Sequence, residues 1–242
     1  MPFSDDARAR LDADAAQIIG KYPQPRSALL PLLHLVQAEE GYVSGDGIAY
    51  CAGQLGLTET EVAGVVSFYT MYKQRPVGKY HVGVCTNAVC AVLGGNQLLA
   101  GLREHLGVGD DEATPDGQVS LEHVECNAAC EYAPVVMVNW EFFDNMTPAS
   151  ARQLVDDLRA GHNVAPTRGP GRLVTWREAS RILAGFNDDQ ATEGPAAGPA
   201  DLVGLKLAEE RGWTAPEPGR AGDKVGDQAP AAAGGQINKE PR

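Results

Sequence analysis

Apolar residues in the first part of the chain recur at helical spacing. Leu11, Ala15, Ile18 and Ile19 share one face of a first predicted helix, which Ser4 can cap. Ser27 opens a second apolar run carrying Leu29, Leu30, Leu32, Leu33 and Val36. Pro31 falls near its first turn, where a missing N–H is tolerated, and Gly41 ends it. A third helix is predicted over 44–54, with Ile48, Cys51 and Leu55 inward and Gly56 as its stop. Thr58-Glu59-Thr60-Glu61 then forms a capping box ahead of inward Val62, Val65, Phe68 and Tyr69. Together these predict a small helical bundle over 1–75, with Cys51 a buried structural thiol on an apolar face.

From about Pro76 the period changes from helical to alternating. Tyr80, Val82 and Val84 alternate with His81 and Gly83, which predicts a strand running into Cys85. A helix follows over 96–106, with Leu98, Leu99, Leu102 and Leu106 on one face and Gly107 as its stop. The segment 110–117 reads as an acidic turn, and Val119 and Leu121 open a strand that leads towards Cys126. Residues 135–138 read as another strand, and Thr147-Pro148 as the N-cap and first residue of a helix with Leu154, Val155 and Leu158, ended by Gly161. The order β-α-β-β-α predicts a compact α/β unit over 76–165.

Beyond it, half of the sixteen prolines lie between Pro166 and Pro241. Short helical patches are predicted over 176–183 and 202–211, and the end from about Thr214 is too rich in Pro, Gly and Ala to build a core. The segment 166–242 is therefore expected to be an extension, partly disordered or bound to a partner.

Composition narrows the function. The 242 residues carry a formal net charge of −12, which argues against nucleic acid or an anionic membrane surface as the main partner. No stretch approaches the roughly 18–20 apolar residues of a membrane span, and the charged N-terminus lacks an apolar signal core. A soluble cytosolic chain without direct membrane insertion is expected. Neither a dinucleotide fingerprint nor a P-loop is present, the acidic loop at 110–112 lacks calcium-loop spacing, and no catalytic set of nucleophile, base and orienting acid can be assigned.

The chemistry lies in the cysteines. Of the five, four form close pairs, Cys85-x4-Cys90 and Cys126-x3-Cys130, separated by thirty-five residues. Each pair follows a predicted strand, so both can sit in loops at one end of a small sheet. Two disulfides are disfavoured by the short spacings and a reducing compartment. A four-cysteine zinc site prefers two-residue spacings within each pair. Longer, unequal loops suit a wider object, and the spacing favours a 2Fe–2S cluster held by Cys85, Cys90, Cys126 and Cys130. With four thiolates and two sulfides, such a centre carries about −2 when oxidised and about −3 after taking one electron, so nearby dipoles must offset charge. The backbone N–H groups of 86–89 and 127–129 and the side chains of Thr86 and Asn87 are candidate donors to sulfur. Glu125 and Glu131 flank the second pair and would lower the reduction potential, or else face solvent. His123 is not needed as a ligand and reads as a surface strand residue.

Several stretches also carry a family resemblance. Cys85-Thr86-Asn87-Ala88-Val89-Cys90, Thr114-Pro115-Asp116-Gly117 and the run from Val124 to Val136 resemble the thioredoxin-like 2Fe–2S subunits of respiratory complex I, the E subunits of bacterial NADH–quinone oxidoreductases. Glu40-Gly41-Tyr42-Val43, Val65-Val66-Ser67-Phe68-Tyr69-Thr70 and Asn145-Met146-Thr147-Pro148 extend the match over about 10–162. The family often has Pro where Val89 stands and Leu-Gly where Asn127-Ala128 stand, changes that bear on loop rigidity and potential. The resemblance implies a thioredoxin-like 2Fe–2S ferredoxin domain preceded by a helical bundle and followed by an extended tail. It also implies a proton-translocating oxidoreductase complex in which this chain passes single electrons. FMN and NADH would sit in a partner flavin subunit, among other peripheral-arm subunits on the cytoplasmic face of the plasma membrane. The equivalent diaphorase subunit of an NAD-dependent hydrogenase or formate dehydrogenase is the alternative assembly, and a zinc-stabilised interaction module the alternative class.

Overall fold

The computed structural model describes residues 3–190, 193–194 and 197–214. The bundle begins with α1 (Asp5–Ile19), whose first turn is closed by Ser4 Oγ accepting from Ala7 N at 3.3 Å, with Asp5 and Asp6 beside the positive end of the helix dipole. Residues 25–28 form a 3-10 turn, so α2 (Leu29–Glu40) starts two residues later than Ser27 suggested, with Pro31 still in its first turn. Helix α2 is central: Leu29, Leu32, Leu33, Leu35 and Val36 are all buried, because α1, α3 (Gly45–Leu55) and a later helix pack around it. Ser44 caps α3, and Gly41 and Gly56 end α2 and α3 in the left-handed region.

The capping box Thr58/Glu61 opens α4 (Glu59–Phe68) as its residues dictate. Helix α4 buries Val62 and Val66, with Val65 half-buried. Phe68 lies two residues, roughly 200° of helix, beyond Val66. It is 76% exposed and Tyr69 45%, against the expectation that both point inward. Cys51 is fully buried in the bundle core, and burial pushes its thiol up to about 12.

The second core belongs to a five-stranded sheet of order β2-β3-β1-β4-β5 among the described residues. Its elements are β1 (Tyr80–Cys85), α5 (Ala88–Val92), α6 (Gly95–Leu106), β2 (Glu112–Ala113), β3 (Val119–Val124), β4 (Val136–Val138), β5 (Glu141–Phe143) and α7 (Pro148–Ala160). Strands β1 and β3 are parallel, with α6 in the crossover between them, and β4 and β5 form an antiparallel edge beside β1. Leucines of α6 and Ala151, Leu154, Val155 and Leu158 of α7 share a core with Tyr80, Val82, Val84, Val119 and Leu121. The pattern missed β2, β5 and α5, which are two, three and five residues long and too short to show a period.

The opposite face of β1 is polar but covered. His81 is buried beneath Trp140 and Trp176, with Ser120 Oγ at 2.9 Å and the Glu122 carboxylate at 2.7 Å from its ring nitrogens. Lys73 reaches the same carboxylate at 2.6 Å, joining the end of the bundle to β3.

Helix α8 (Trp176–Leu183) changes the reading of the tail. Trp176 is 1% exposed, donates from Nε1 to the Gly41 carbonyl at 2.7 Å and from its backbone N–H to the Lys79 carbonyl at 2.9 Å. Arg177 donates to the Glu39 and Glu40 carbonyls at the C-terminal end of α2, where a cation is favoured. Buried Gln37 ties α2 to the Met71 carbonyl, the Lys73 N–H and Ser180 of α8. The apolar patch around Trp176, expected to await a partner, is thus filled by this chain's own bundle. From Leu202 the chain forms a separate unit with helix α9 (Val203–Glu210), which exposes Val203 and Leu205. The Pro/Gly/Ala-rich end expected to lack structure lies outside the described residues from 215 onwards.

Candidate metal centre

The parallel register places Cys85 opposite Val124, so the chain leaves β1 and β3 at the same end of the sheet. Cys85 is the last residue of β1, and its N–H donates to the Val135 carbonyl at 3.1 Å. Asn87 Oδ1 accepts from Ala88 N at 2.7 Å and starts α5, which carries Cys90. Gly95 opens α6 directly against this loop. A Cβ there would meet the Cys85 carbonyl oxygen at 2.6 Å and that of Cys90 at 2.9 Å, so the close approach requires glycine. Cys85 and Cys90 are each 3% exposed, packed with Ala129, Ala133 and Val135.

The second pair lies on an open loop. Cys126 Sγ accepts from the Ala128 N–H at 3.3 Å, and Ala128 is left-handed with φ 52°. A 3-10 turn over Cys130–Tyr132 follows, and the Ala133–Pro134 peptide is cis. The turn is tied down from outside: Asn145 N donates to the Tyr132 carbonyl at 2.7 Å and Met146 N to the Pro134 carbonyl at 2.9 Å. Cys126 and Cys130 are both exposed.

The two loops bring Cys130 close to the Cys85 and Cys90 pair. Burial, with the neighbouring thiols of Cys85 and Cys130, pushes Cys90 up to about 11 against the opposing Val135 N–H. Asn127 Nδ2, one residue after Cys126, is buried without a hydrogen-bond partner. A buried amide donor without an acceptor costs about 1–3 kcal/mol, and a thiolate or inorganic sulfide placed between the loops would relieve it. Among the described residues no three His, Cys, Asp or Glu side chains are grouped to hold one metal ion. A 2Fe–2S centre asks for two thiolates on each of two irons rather than three or four around one. Soft sulfur donors in two pairs, an N–H···S bond already formed at Cys126 and an orphaned amide beside it fit that group.

The remaining sequence candidates divide. Glu125 is exposed, and its backbone carbonyl lies 3.8 Å from Cys85 Sγ. Glu131 lies within 4.0 Å of the Arg168 guanidinium instead of facing solvent alone. His123 is exposed and its Nε2 sits 2.5 Å from Thr86 Oγ1, a bridge between the two strand ends in place of a ligand role. Of the side chains expected to donate to sulfur, Thr86 Oγ1 is engaged with His123, while Asn87 uses its Oδ1 to start α5. The Asn127 side chain was missed because an Asn in a loop carries no sign of burial. Arg168 was missed because its partners lie more than twenty residues away in sequence.

Comparison with known proteins gives the family. Residues 15–159 match the family described as "Thioredoxin-like [2Fe-2S] ferredoxin". The chain is 58% identical over 215 residues to the E subunit of the NADH-quinone oxidoreductase of Mycobacterium tuberculosis, covering 88% of this chain and 85% of that one. It is 41% identical over 175 residues to NADH-quinone oxidoreductase subunit 2 of Thermus thermophilus, covering 71% and 94%. Among solved structures, an NAD+-reducing [NiFe]-hydrogenase aligns over 55% of this chain and 23% of that one, at 20% identity and a TM-score of 0.49.

Proposed function

The chain belongs to the thioredoxin-like 2Fe–2S ferredoxin family, and from that premise we propose that it is the electron-transfer subunit of the NADH dehydrogenase module of an NADH–quinone oxidoreductase. What carries the proposal is the 58% identity to an E subunit of such a complex, supported by two strands, β1 and β3, that deliver the paired cysteines to the same end of the sheet. Those four thiols are the proposed ligands. When bound, a 2Fe–2S cluster supplies a one-electron acceptor.

The protein's own residues shape its surroundings. Cys85 and Cys90 shield one side from water under α5 and α6. On the other, the Ala128 N–H supplies a dipole to the Cys126 sulfur, and the unpartnered Asn127 Nδ2 is proposed to supply a second. The exposed Cys126 and Cys130 leave that side open to a redox partner, since electron exchange needs close approach. The partner is proposed to be a flavin subunit holding FMN and NADH, because this chain lacks the phosphate-binding motifs for either. No helix among the described residues is long and apolar enough to cross a membrane. Attachment to the cytoplasmic face is therefore proposed to run through other subunits.

Purified full-length protein is expected to show the visible absorption of a 2Fe–2S centre, two irons per chain and, once reduced, an S = 1/2 EPR signal. A colourless protein with stoichiometric zinc would instead make the chain a zinc-stabilised interaction module.

A further inference from the structure

Arg168 follows the sheet domain in a stretch rich in glycine and proline, where sequence alone suggests a solvated side chain. The structure buries it. Its side chain is 14% exposed, with the guanidinium 4.0 Å from the Phe142 ring centre and 5.3 Å from that of Tyr132. Three carboxylates surround it: Asp144 at 3.2 Å, Asp201 at 3.9 Å and Glu131 at 4.0 Å. The Asp144 side chain is only 8% exposed, so this ion pair sits largely out of water.

The cage is built on the turn that carries Cys130. Glu131 and Tyr132 are the two residues that follow that ligand. The chain on both sides of the cage closes over them. Thr167 N donates to the Phe142 carbonyl at 2.9 Å, and Asp144 N donates to Thr167 Oγ1 at 3.1 Å. From the far side, Ala200 N donates to the Tyr132 hydroxyl at 3.3 Å, and Gly198 N to Asp201 at 2.6 Å. Gly198 lies so close to the Tyr132 hydroxyl that a Cβ there has no room. A flat guanidinium can stack on a ring and pair at its edge simultaneously, which an ammonium cannot.

We propose that Arg168 is a positioning residue that raises the reduction potential of the cluster by holding a buried positive charge against the Cys130 turn. The proposal rests on the functional reading above. Adding an electron to an already negative centre in a strongly acidic chain is opposed by each nearby carboxylate and favoured by each nearby cation, more so where water is excluded. Arg168 and its three acids form a set whose members push the potential in opposite directions. A purely structural latch would not produce that pattern.

The test is an EPR-monitored redox titration of the full-length, cluster-loaded protein with Arg168→Gln, Arg168→Lys and Asp201→Asn. Arg168→Gln is expected to shift the oxidised-to-reduced ratio at the wild-type midpoint on the order of tenfold towards oxidised, about 59 mV. Arg168→Lys should recover most of that shift. Asp201→Asn should move the ratio about threefold the other way. An Arg168→Gln midpoint equal to wild type, or an Asp201→Asn midpoint at or below it, overturns the proposal. If Arg168→Gln fails to retain iron, the sign of the Asp201→Asn shift decides alone. A wild-type protein without the 2Fe–2S signal would instead overturn the functional reading beneath it.

Discussion

Cys85 and Cys90 sit on the end of β1 and the short α5, with the Gly95 contact under α6, and are sealed by Ala129, Ala133 and Val135 of the second loop. Cys126 and Cys130 are held by segments far along the chain, at Asn145, Met146, Arg168 and Ala200. The first pair is buried and the second exposed. A site made this way has an insulated side sealed between the two loops and an open side tied down by segments further along the chain. The open side is therefore the one that distant substitutions can tune, and the one that a redox partner can reach.

The largest expected effect comes from replacing the ligands. Cys85→Ser and Cys90→Ser should lose nearly all iron and the EPR signal, because solvent has no path to supply a substitute ligand at 3% exposure. Cys126→Ser and Cys130→Ser should retain a larger fraction of iron with an altered spectrum, since water reaches that side. Equal loss from all four would erase the distinction between the loops.

Next comes the anchor of the chain that crosses the second loop. Trp176→Ala removes a side chain that is 1% exposed and is expected to cost about 3–5 kcal/mol in urea unfolding. Amide hydrogen exchange should then rise more across 126–134 than across 86–95. A uniform rise would mean that the two loops share one cooperative unit.

The smallest effect is at Ala128, whose φ of 52° is a left-handed conformation that glycine adopts freely. Strain of about 1–2 kcal/mol, reduced by the extra unfolded-state freedom of glycine, predicts that Ala128→Gly stabilises the protein by about 0.5–1 kcal/mol. Thermal unfolding should show a small upward shift, with hydrogen exchange at the first loop unchanged. A downward shift would mean that the Ala128 methyl group packs usefully against the second loop.

Much of this protein could be read from its residues. The caps at Ser4, Ser44, Thr58 and Thr147 act locally, and each opens its helix where the pattern places it. The buried role of Cys51 followed from its neighbours at helical spacing. Phe68, apolar and one turn on from Val65, was read as inward, while the buried stripe is fixed by Val62 and Val66. The alternation in β1 placed His81 on the face opposite Val82 and Val84 but could not show that Trp140 and Trp176 cover it. Trp176 itself sits in a run of only eight helical residues, too short to reveal which surface would take it.

By itself the sequence singled out the proposed ligand atoms: four sulfurs in two pairs, each set after a strand, where the thiolate character that iron needs is a property of the residue type. It also carries neither a dinucleotide fingerprint nor a P-loop, signals that depend on glycine spacing visible along the chain. Only the tertiary structure decided which pair faces water, that Asn127 Nδ2 is left without a partner, and that Arg168 is caged against Glu131 and Tyr132, the residues after Cys130. Burial and Coulomb energies depend on distances through space, and residues separated by tens of positions acquire those distances only once the chain has folded.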